Sequence, residues 1–354
     1  MPLLHAESMP NADAFSVARA EAALEALFDG RDASRDQMRA LFDRLVEGSL
    51  PEPLMAAAFV CLKLKGETSE ELTGAAHSLR TASRAFPGPE GVFADSCGTG
   101  GDGSGSINVS TAAGIVAAAC GLPIIKHGNR SVTSKCGSAD VLEALGAKLD
   151  LSPDRSREVH DQTGFCFLLA PLYHPGIAHA GPVRRQLKVR TIMNLLGPCL
   201  NPAHPPVQLL GVAEPKLMRP IAQTLLALGV ERGLVVHGSG LDEIAPHAET
   251  RALRITDGSI EELILTPEEA GFERRPLEEI AGGCPEDNAK RLFDLLHGRG
   301  SAADAQVVAL NAGALLWTAG VVPGFREGAE QALACMAEGR AGATLDSFVE
   351  ASRG

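Results

Sequence analysis

The chain has 354 residues, and its 44 Asp and Glu against 32 Lys and Arg give a formal net charge of −12. That balance disfavours non-specific nucleic-acid binding, which depends on neutralising phosphates, and the length allows two domains. Eight cysteines with no CxxC pair and no metal-ligand spacing fit a reduced, cytoplasmic setting. Met1–Pro10 lacks the basic start and apolar core of a signal peptide, and no uninterrupted apolar run reaches membrane-spanning length.

Residues 12–86 read as helices only. Met38, Leu41, Phe42, Leu45 and Val46 recur at the spacing of one helical face. Ser34 with Gln37, and Thr68 with Glu71, have the form of capping boxes. Pro51 and Pro53 open a helix around Leu54–Leu64. No chemistry is evident here; the apolar faces read as helix packing or as a face between two copies of the chain. Gly88 and Gly91 mark the crossing into an α/β region.

A glycine-rich segment follows an apolar run ending at Ala94, read as a strand. It runs DSCGTGGDGSGSINVST from Asp95, with Gly98, Gly100, Gly101, Gly103 and Gly105 crowded together. Glycine lets backbone N–H groups approach a ligand with no Cβ in the way, and successive N–H groups form an anion-binding nest. The segment leads into a helix with Ser110 near its start, where free N–H groups and the helix dipole favour phosphate. The spacing is neither the Walker pattern nor GxGxxG. A second loop, KHGNRSVTSKCGSADVLEALG from Lys126, follows the short strand Pro123–Ile125 and precedes a helix beginning at Ser138. Lys126, Arg130 and Lys135 are a local basic exception on an acidic chain. Two strand–loop–helix units in tandem put both loops at one sheet edge, the edge at which open α/β sheets bind ligands.

Further along, a helix over Pro153–Thr163 precedes a strand over Phe165–Ala170. The turn after it holds Tyr173 and His174, with His179 beyond. These histidines read as structural loop residues rather than acid–base groups. Residues 178–200 return to the helical part, with Arg184 available to grip a carboxylate through its planar fork. Strands Val207–Val212 and Gly233–Val236 flank a helix over Pro215–Leu228, a βαβ unit implying a parallel sheet. The second strand runs into GLDE, where Asp242 and Glu243 suit a hard cation or simply a solvated turn. Arg251–Ile264 reads as an edge hairpin. Helices near Lys290–His297, Ala305–Ala319, Glu327–Glu338 and Leu345–Ser352 cover the sheet and carry no assigned chemistry.

The two long loop motifs, with GPVRRQL around Arg184, RTIMNLLGPCLNP at 190–202, GLDE at 240–243 and NAGALL at 311–316, resemble anthranilate phosphoribosyltransferase over roughly residues 15–350. The segment departs from that family's usual pattern at Lys188, often Gly there, and at Met193, often Phe. The resemblance implies a small all-helical domain at 12–87 with a returning segment at about 178–203. It also implies a larger α/β domain at 88–177 and 204–354 with a mostly parallel sheet flanked by helices. The implied reaction transfers phosphoribose from 5-phosphoribosyl-1-pyrophosphate to the amine of anthranilate, releasing pyrophosphate, a step of tryptophan biosynthesis.

The residues that match the family's phosphoribosyl-pyrophosphate site are Gly98, Gly101, Asp102, Ser106, Asn108, Val109, Ser110 and Thr111, then Lys126, His127, Gly128, Asn129, Arg130, Ser131, Val132, Thr133, Ser134 and Ser138. Gly98, Asn129 and Arg184 match its anthranilate contacts, and Ser110, Asp242 and Glu243 its Mg²⁺ ligands. No general base is implied. A homodimer built on the helical domain is implied, with no membrane or nucleic-acid partner. The rival readings are a pyrimidine nucleoside phosphorylase-like enzyme and a non-enzymatic nucleic-acid-binding relative of the same fold.

Overall fold

The structure, a computed structural model, describes residues 12–131 and 135–354. The reading of Met1–Pro10 and the substrate contacts expected of Val132, Thr133 and Ser134 lie outside the described residues. The chain divides into two compact units: one runs through Ala82 and includes Gly176–Ile192, and the other comprises Ser83–Pro175 and Met193–Gly354. No helix among the described residues is long and apolar enough to cross a membrane.

The first unit is all helical: α1 Ala12–Phe28, α2 Arg35–Val46, α3 Glu52–Lys65 and α4 Ser69–Thr81, with the short returning helix Gly181–Leu187. The stripe on α2 is its packed face, since Met38, Leu41, Phe42 and Leu45 are buried. Both capping boxes form, Ser34 with Gln37 and Thr68 with Glu71. Glu71 does more than cap. It is fully buried. Its Oε2 accepts from the Thr68 N–H at 2.9 Å and from Lys65 Nζ at 3.0 Å, and its Oε1 accepts from the Ala33 N–H at 3.0 Å. One carboxylate thereby ties the start of α4, the end of α3 and the α1–α2 connection. Lys188, which ends the returning helix, has φ +51° in the left-handed region. A family that often has Gly there avoids a conformation costing roughly 1–2 kcal/mol for a residue with a Cβ.

The second unit is built on one seven-stranded sheet of β1 Ala94–Gly98, β2 Ile124–Gly128, β3 Phe165–Leu169, β4 Val207–Gly211, β5 Arg232–His237, β6 Thr250–Thr256 and β7 Ser259–Leu265. The order is β3-β2-β1-β4-β5-β6-β7. The pairings from β3 to β5 are parallel, and β6 and β7 add an antiparallel hairpin at the edge. Its main helices are α5 Val109–Ala119, α6 Ser138–Ala144, α7 Pro153–Thr163, α8 Met218–Ala227, α9 Pro285–Leu296, α10 Ala302–Ala319, α11 Phe325–Ala337 and α12 Arg340–Arg353. The central α10 is buried along nearly its whole length and packs against α5, β4, β5 and α11.

Two expectations shift. The strand read as ending at Ala94 begins there, and it runs through the polar Asp95 and Ser96, both buried. Asp95 is held there by Asn201, whose Nδ2 donates to its Oδ2 at 2.9 Å, and the Ser96 backbone carbonyl accepts from Lys126 Nζ. The segment from Met193 to about 203, expected with the helical part, clusters with the α/β unit. Its Asn201 also donates to the Ile125 carbonyl at 2.8 Å, and the Pro198 carbonyl accepts from Gln208 Nε2 at 2.7 Å, so it is bonded to β2 and β4.

Removing the Glu71 carboxylate should leave two backbone N–H groups unpaired and take one partner from the part-buried Lys65, which keeps Asp32 and the Gly66 carbonyl. Glu71→Ala is expected to cost about 2–4 kcal/mol in urea unfolding, chiefly for the unpaired N–H groups, against under about 0.5 kcal/mol for Glu70→Ala, whose partner Arg35 is exposed. Equal costs would remove Glu71 from that role. Burial pushes the Asp95 carboxyl up to about 6, with Lys126 and the Asn201 bond pulling the other way. A raised folded pKa gives stability that is present at low pH and lost as pH climbs through about 6. Between pH 4 and 7 the wild type should therefore lose up to about 3 kcal/mol relative to Asp95→Asn. A stability difference that ignores pH would mean Asp95 is ionised throughout.

Candidate active site

The C-terminal ends of the parallel strands are marked by glycine. β1, β2 and β4 end in Gly98, Gly128 and Gly211, and Gly238 follows β5. The chain after β5 passes directly over these ends. A Cβ on Gly98 would strike the Asp242 carboxylate, one on Gly211 the Asp242 carbonyl, and one on Gly238 the Glu243 carbonyl. Bare backbone at those positions therefore lets the Asp242-Glu243 dipeptide lie against the sheet edge.

The glycine turn meets that dipeptide. Gly100 and Gly101 have φ of +66° and +74°. The Gly100 N–H donates to Asp242 Oδ2 at 2.6 Å, and the Asp242 N–H donates to Asp102 Oδ2 at 3.4 Å. In the first turn of α5 the Ser110 N–H donates to Glu243 Oε1 at 3.1 Å. Lys126, almost fully buried, donates to Ser110 Oγ at 3.3 Å. Gly98, Asp102, Ser110, Lys126, Asp242 and Glu243 are thus one cluster. Burial raises the Asp242 carboxyl, with Asp102 adding to it, and burial raises Glu243 further, with Asp242 adding and Lys126 opposing. Two desolvated carboxylates, only one of them opposed by a lysine, are short of positive charge.

A hard cation fits that deficit. The donors are carboxylate and hydroxyl oxygens, with no sulfur or imidazole among them. No three His, Cys, Asp or Glu side chains among the described residues converge closely enough to hold a metal alone. Mg²⁺ commonly takes one or two carboxylates and completes its shell with water and phosphate oxygens.

The remaining candidates divide. Val109 and Thr111 are buried in the first turn of α5, so their side chains face the core. Asn108 precedes α5; its Nδ2 donates to the Cys136 carbonyl at 3.2 Å, tying the glycine-rich segment to the end of the basic loop. Ser106 pairs as a bridge with Ala281. His127 is buried with its ring 5.2 Å from that of His174, which accounts for His174 as a packed residue. Tyr173 is likewise buried, edge-on to Phe86. The Asn129 carbonyl accepts from Ser138 Oγ at 3.3 Å, folding the basic loop back on α6. A Cβ on Gly128 would strike that same hydroxyl. The Ser131 N–H is held by Asp140 at 2.9 Å. Arg130 is half exposed and pairs with Glu143 at 2.5 Å. Arg184 lies in the helical unit, on Gly181–Leu187, half-buried, where burial lowers its pKa with no acidic neighbour among the described residues to oppose it.

Two contributors were assigned no role from the sequence, although Asn201 lies within the 190–202 motif. Asn201 locks β1 to β2 through Asp95 and Ile125. Asn288, in the first turn of α9, donates to Asn108 Oδ1 at 3.0 Å. Both are asparagines whose partners lie several elements away along the chain, so no local pattern marks their roles.

The Glycosyl transferase family a/b domain model matches residues 90–342, and the helical bundle domain model of the same family matches residues 21–83. Anthranilate phosphoribosyltransferase of Sorangium cellulosum is 54% identical over 332 residues, covering 94% of this chain and 95% of that one. The Aeromonas hydrophila enzyme of the same name is 49% identical, covering 90% and 93%. Among solved structures, anthranilate phosphoribosyltransferase from Thermus thermophilus superposes with a TM-score of 0.89 at 40% identity, covering 94% of this chain and 99% of that one. The Saccharomyces cerevisiae enzyme in complex with PRPP and Mg superposes with a TM-score of 0.83 at 25% identity, covering 97% and 99%. With both domain models matched in order and relatives aligned nearly end to end, the chain belongs to the anthranilate phosphoribosyltransferase family.

Proposed function

We propose that the protein transfers the 5-phosphoribosyl group from 5-phosphoribosyl-1-pyrophosphate to the amine of anthranilate. The observation that carries this reading is the convergence of the Gly100 turn, Ser110, Lys126, Asp242 and Glu243 at one sheet edge, in a chain of that family. Breaking the bond at C1 leaves positive charge on the ribose and negative charge on the departing pyrophosphate. Asp242, Glu243 and Ser110 would hold Mg²⁺, which when bound neutralises charge on the diphosphate oxygens. Gly101 and Asp102 in the glycine turn, together with the N-terminal turn of α5, would supply N–H groups to the phosphates, and preorganised donors of this kind can be the largest catalytic contribution. Lys126, fixed by the Ser96 carbonyl and the Ser110 hydroxyl, is placed at the same cluster.

The aniline nitrogen is largely unprotonated at neutral pH, so no general base is assigned. Orientation matters more: aligning amine and C1 is worth about 7–11 kcal/mol in well-organised systems. Arg184, with Asn129 and the bare backbone at Gly98, would hold anthranilate. An Arg half-buried with no acidic partner among the described residues suits a ligand carboxylate. A dimer through the helical unit and a cytoplasmic setting complete the proposal, the first supported by exposed Phe28 and Leu64.

Incubation with phosphoribosyl pyrophosphate, Mg²⁺ and anthranilate should extinguish anthranilate fluorescence. Turnover of thymidine with phosphate instead, or tight RNA binding without turnover, would replace this reading. Arg184→Ala should raise the anthranilate KM by about 10- to 100-fold, the loss of a charge-assisted bond of roughly 1.5–3 kcal/mol, with the phosphoribosyl pyrophosphate KM little changed. Asp242→Asn with Glu243→Gln should move the Mg²⁺ activation curve to higher concentration by about tenfold or more. A superimposable metal titration would end the metal assignment.

A further inference from the structure

The glycine-rich segment is held from one side by the GLDE turn and from the other by a stretch that carried no expected role. Residues 280–283 run antiparallel beside 105–107. The Ile107 N–H donates to the Ile280 carbonyl at 3.0 Å, and the Gly282 N–H donates to the Gly105 carbonyl at 2.6 Å. Between them Ser106 and Ala281 form a bridge. A Cβ on Gly282 would press on the Ser106 carbonyl and on Asn288 Oδ1. The stretch then enters α9, and Asn288 in its first turn is 1% exposed.

Both ends of the Asn288 amide are engaged. Its Oδ1 accepts from the Gly283 N–H at 2.8 Å, and its Nδ2 donates to Asn108 Oδ1 at 3.0 Å. The bond from Asn288, together with the Cys136 thiol that donates to the same oxygen at 3.3 Å, fixes which end of the Asn108 amide is oxygen. It thereby leaves Asn108 Nδ2 to donate to the Cys136 carbonyl, at the end of the basic loop. The relay runs from the Gly283 backbone through Asn288 and Asn108 to the backbone at Cys136. It joins the glycine-rich segment, the start of α5 and the basic loop, the parts to which phosphoribose binding is assigned above.

We propose that Asn288 is a positioning residue for the phosphoribosyl pyrophosphate site, acting through the Asn108 amide to hold the glycine-rich segment and the basic loop in one register. It touches neither substrate in this account, and the inference rests on the proposed function only for the identity of the ligand. An apolar residue in its place would leave the part-buried Gly283 N–H unpaired and Asn108 held only from the Cys136 side, so the two loops would keep their sequence and lose their tie to the start of α9.

The test is a double-mutant cycle read by binding. The dissociation constant of 5-phosphoribosyl-1-pyrophosphate with Mg²⁺ is measured by calorimetry for the wild type, Asn288→Ala, Asn108→Ala and the double variant, beside the melting temperature of each. Asn288→Ala should weaken binding by about tenfold, and the same change made on Asn108→Ala should weaken it less than twofold further. The anthranilate KM should stay within twofold. Asn288→Asp, isosteric and still able to accept from Gly283, keeps the helix start but cannot donate to Asn108; it should behave like Asn288→Ala and carries the cycle if that variant unfolds. Additive losses in the two backgrounds, or unchanged binding in Asn288→Asp, overturn the inference and leave the function standing. A wild type that binds no phosphoribosyl pyrophosphate sinks the parent reading instead.

Discussion

The site depends on how closely the chain after β5 can lie on the ends of the parallel strands. Asp242 and Glu243 reach the glycine turn and the first turn of α5 only because Gly98, Gly211 and Gly238 place no side chain in the way. Parallel sheets bury both faces under helices, so their C-terminal edge is where backbone donors and loop side chains are free to meet. Here three separate pieces of sequence, around 98–102, 108–111 and 238–243, are brought within hydrogen-bond distance along that edge.

Charge follows from the same geometry. Buried carboxylates are expensive unless paired, yet the edge holds Asp242 and Glu243 against a single buried lysine. Backbone donors from Gly100 and Ser110 supply part of the compensation. What remains is a pair of carboxyls whose ionised forms lack enough positive charge nearby, an arrangement suited to a divalent cation and a polyphosphate arriving together. The −12 overall charge says nothing of this; only the local placement of Lys126 and the helix terminus does.

The glycine-rich segment, the basic loop and GLDE were legible because each packs its chemistry into consecutive residues. The helical part was legible from period and caps: α2 buries its apolar stripe, and Glu71 stands three residues after Thr68 as a capping box requires. What stayed hidden depends on distant partners. Asp95 and Ser96 look like the start of a loop, since nothing local reveals that Asn201 will pair the Asp95 carboxyl and Lys126 the Ser96 carbonyl. Arg130 reads as a phosphate ligand by composition, while its rotamer is set by Glu143 across the turn on α6. Lys188 showed as a departure from a family pattern before its positive φ gave a reason for glycine.

The contact between Gly211 and the Asp242 backbone has a further consequence. Main chain rests on main chain there, and neither side has a rotamer to adjust. The floor of the cleft is in effect incompressible, so a descendant of this protein that accepts a bulkier acceptor would have to find the room by altering its loops, while the strand ends beneath stay as they are.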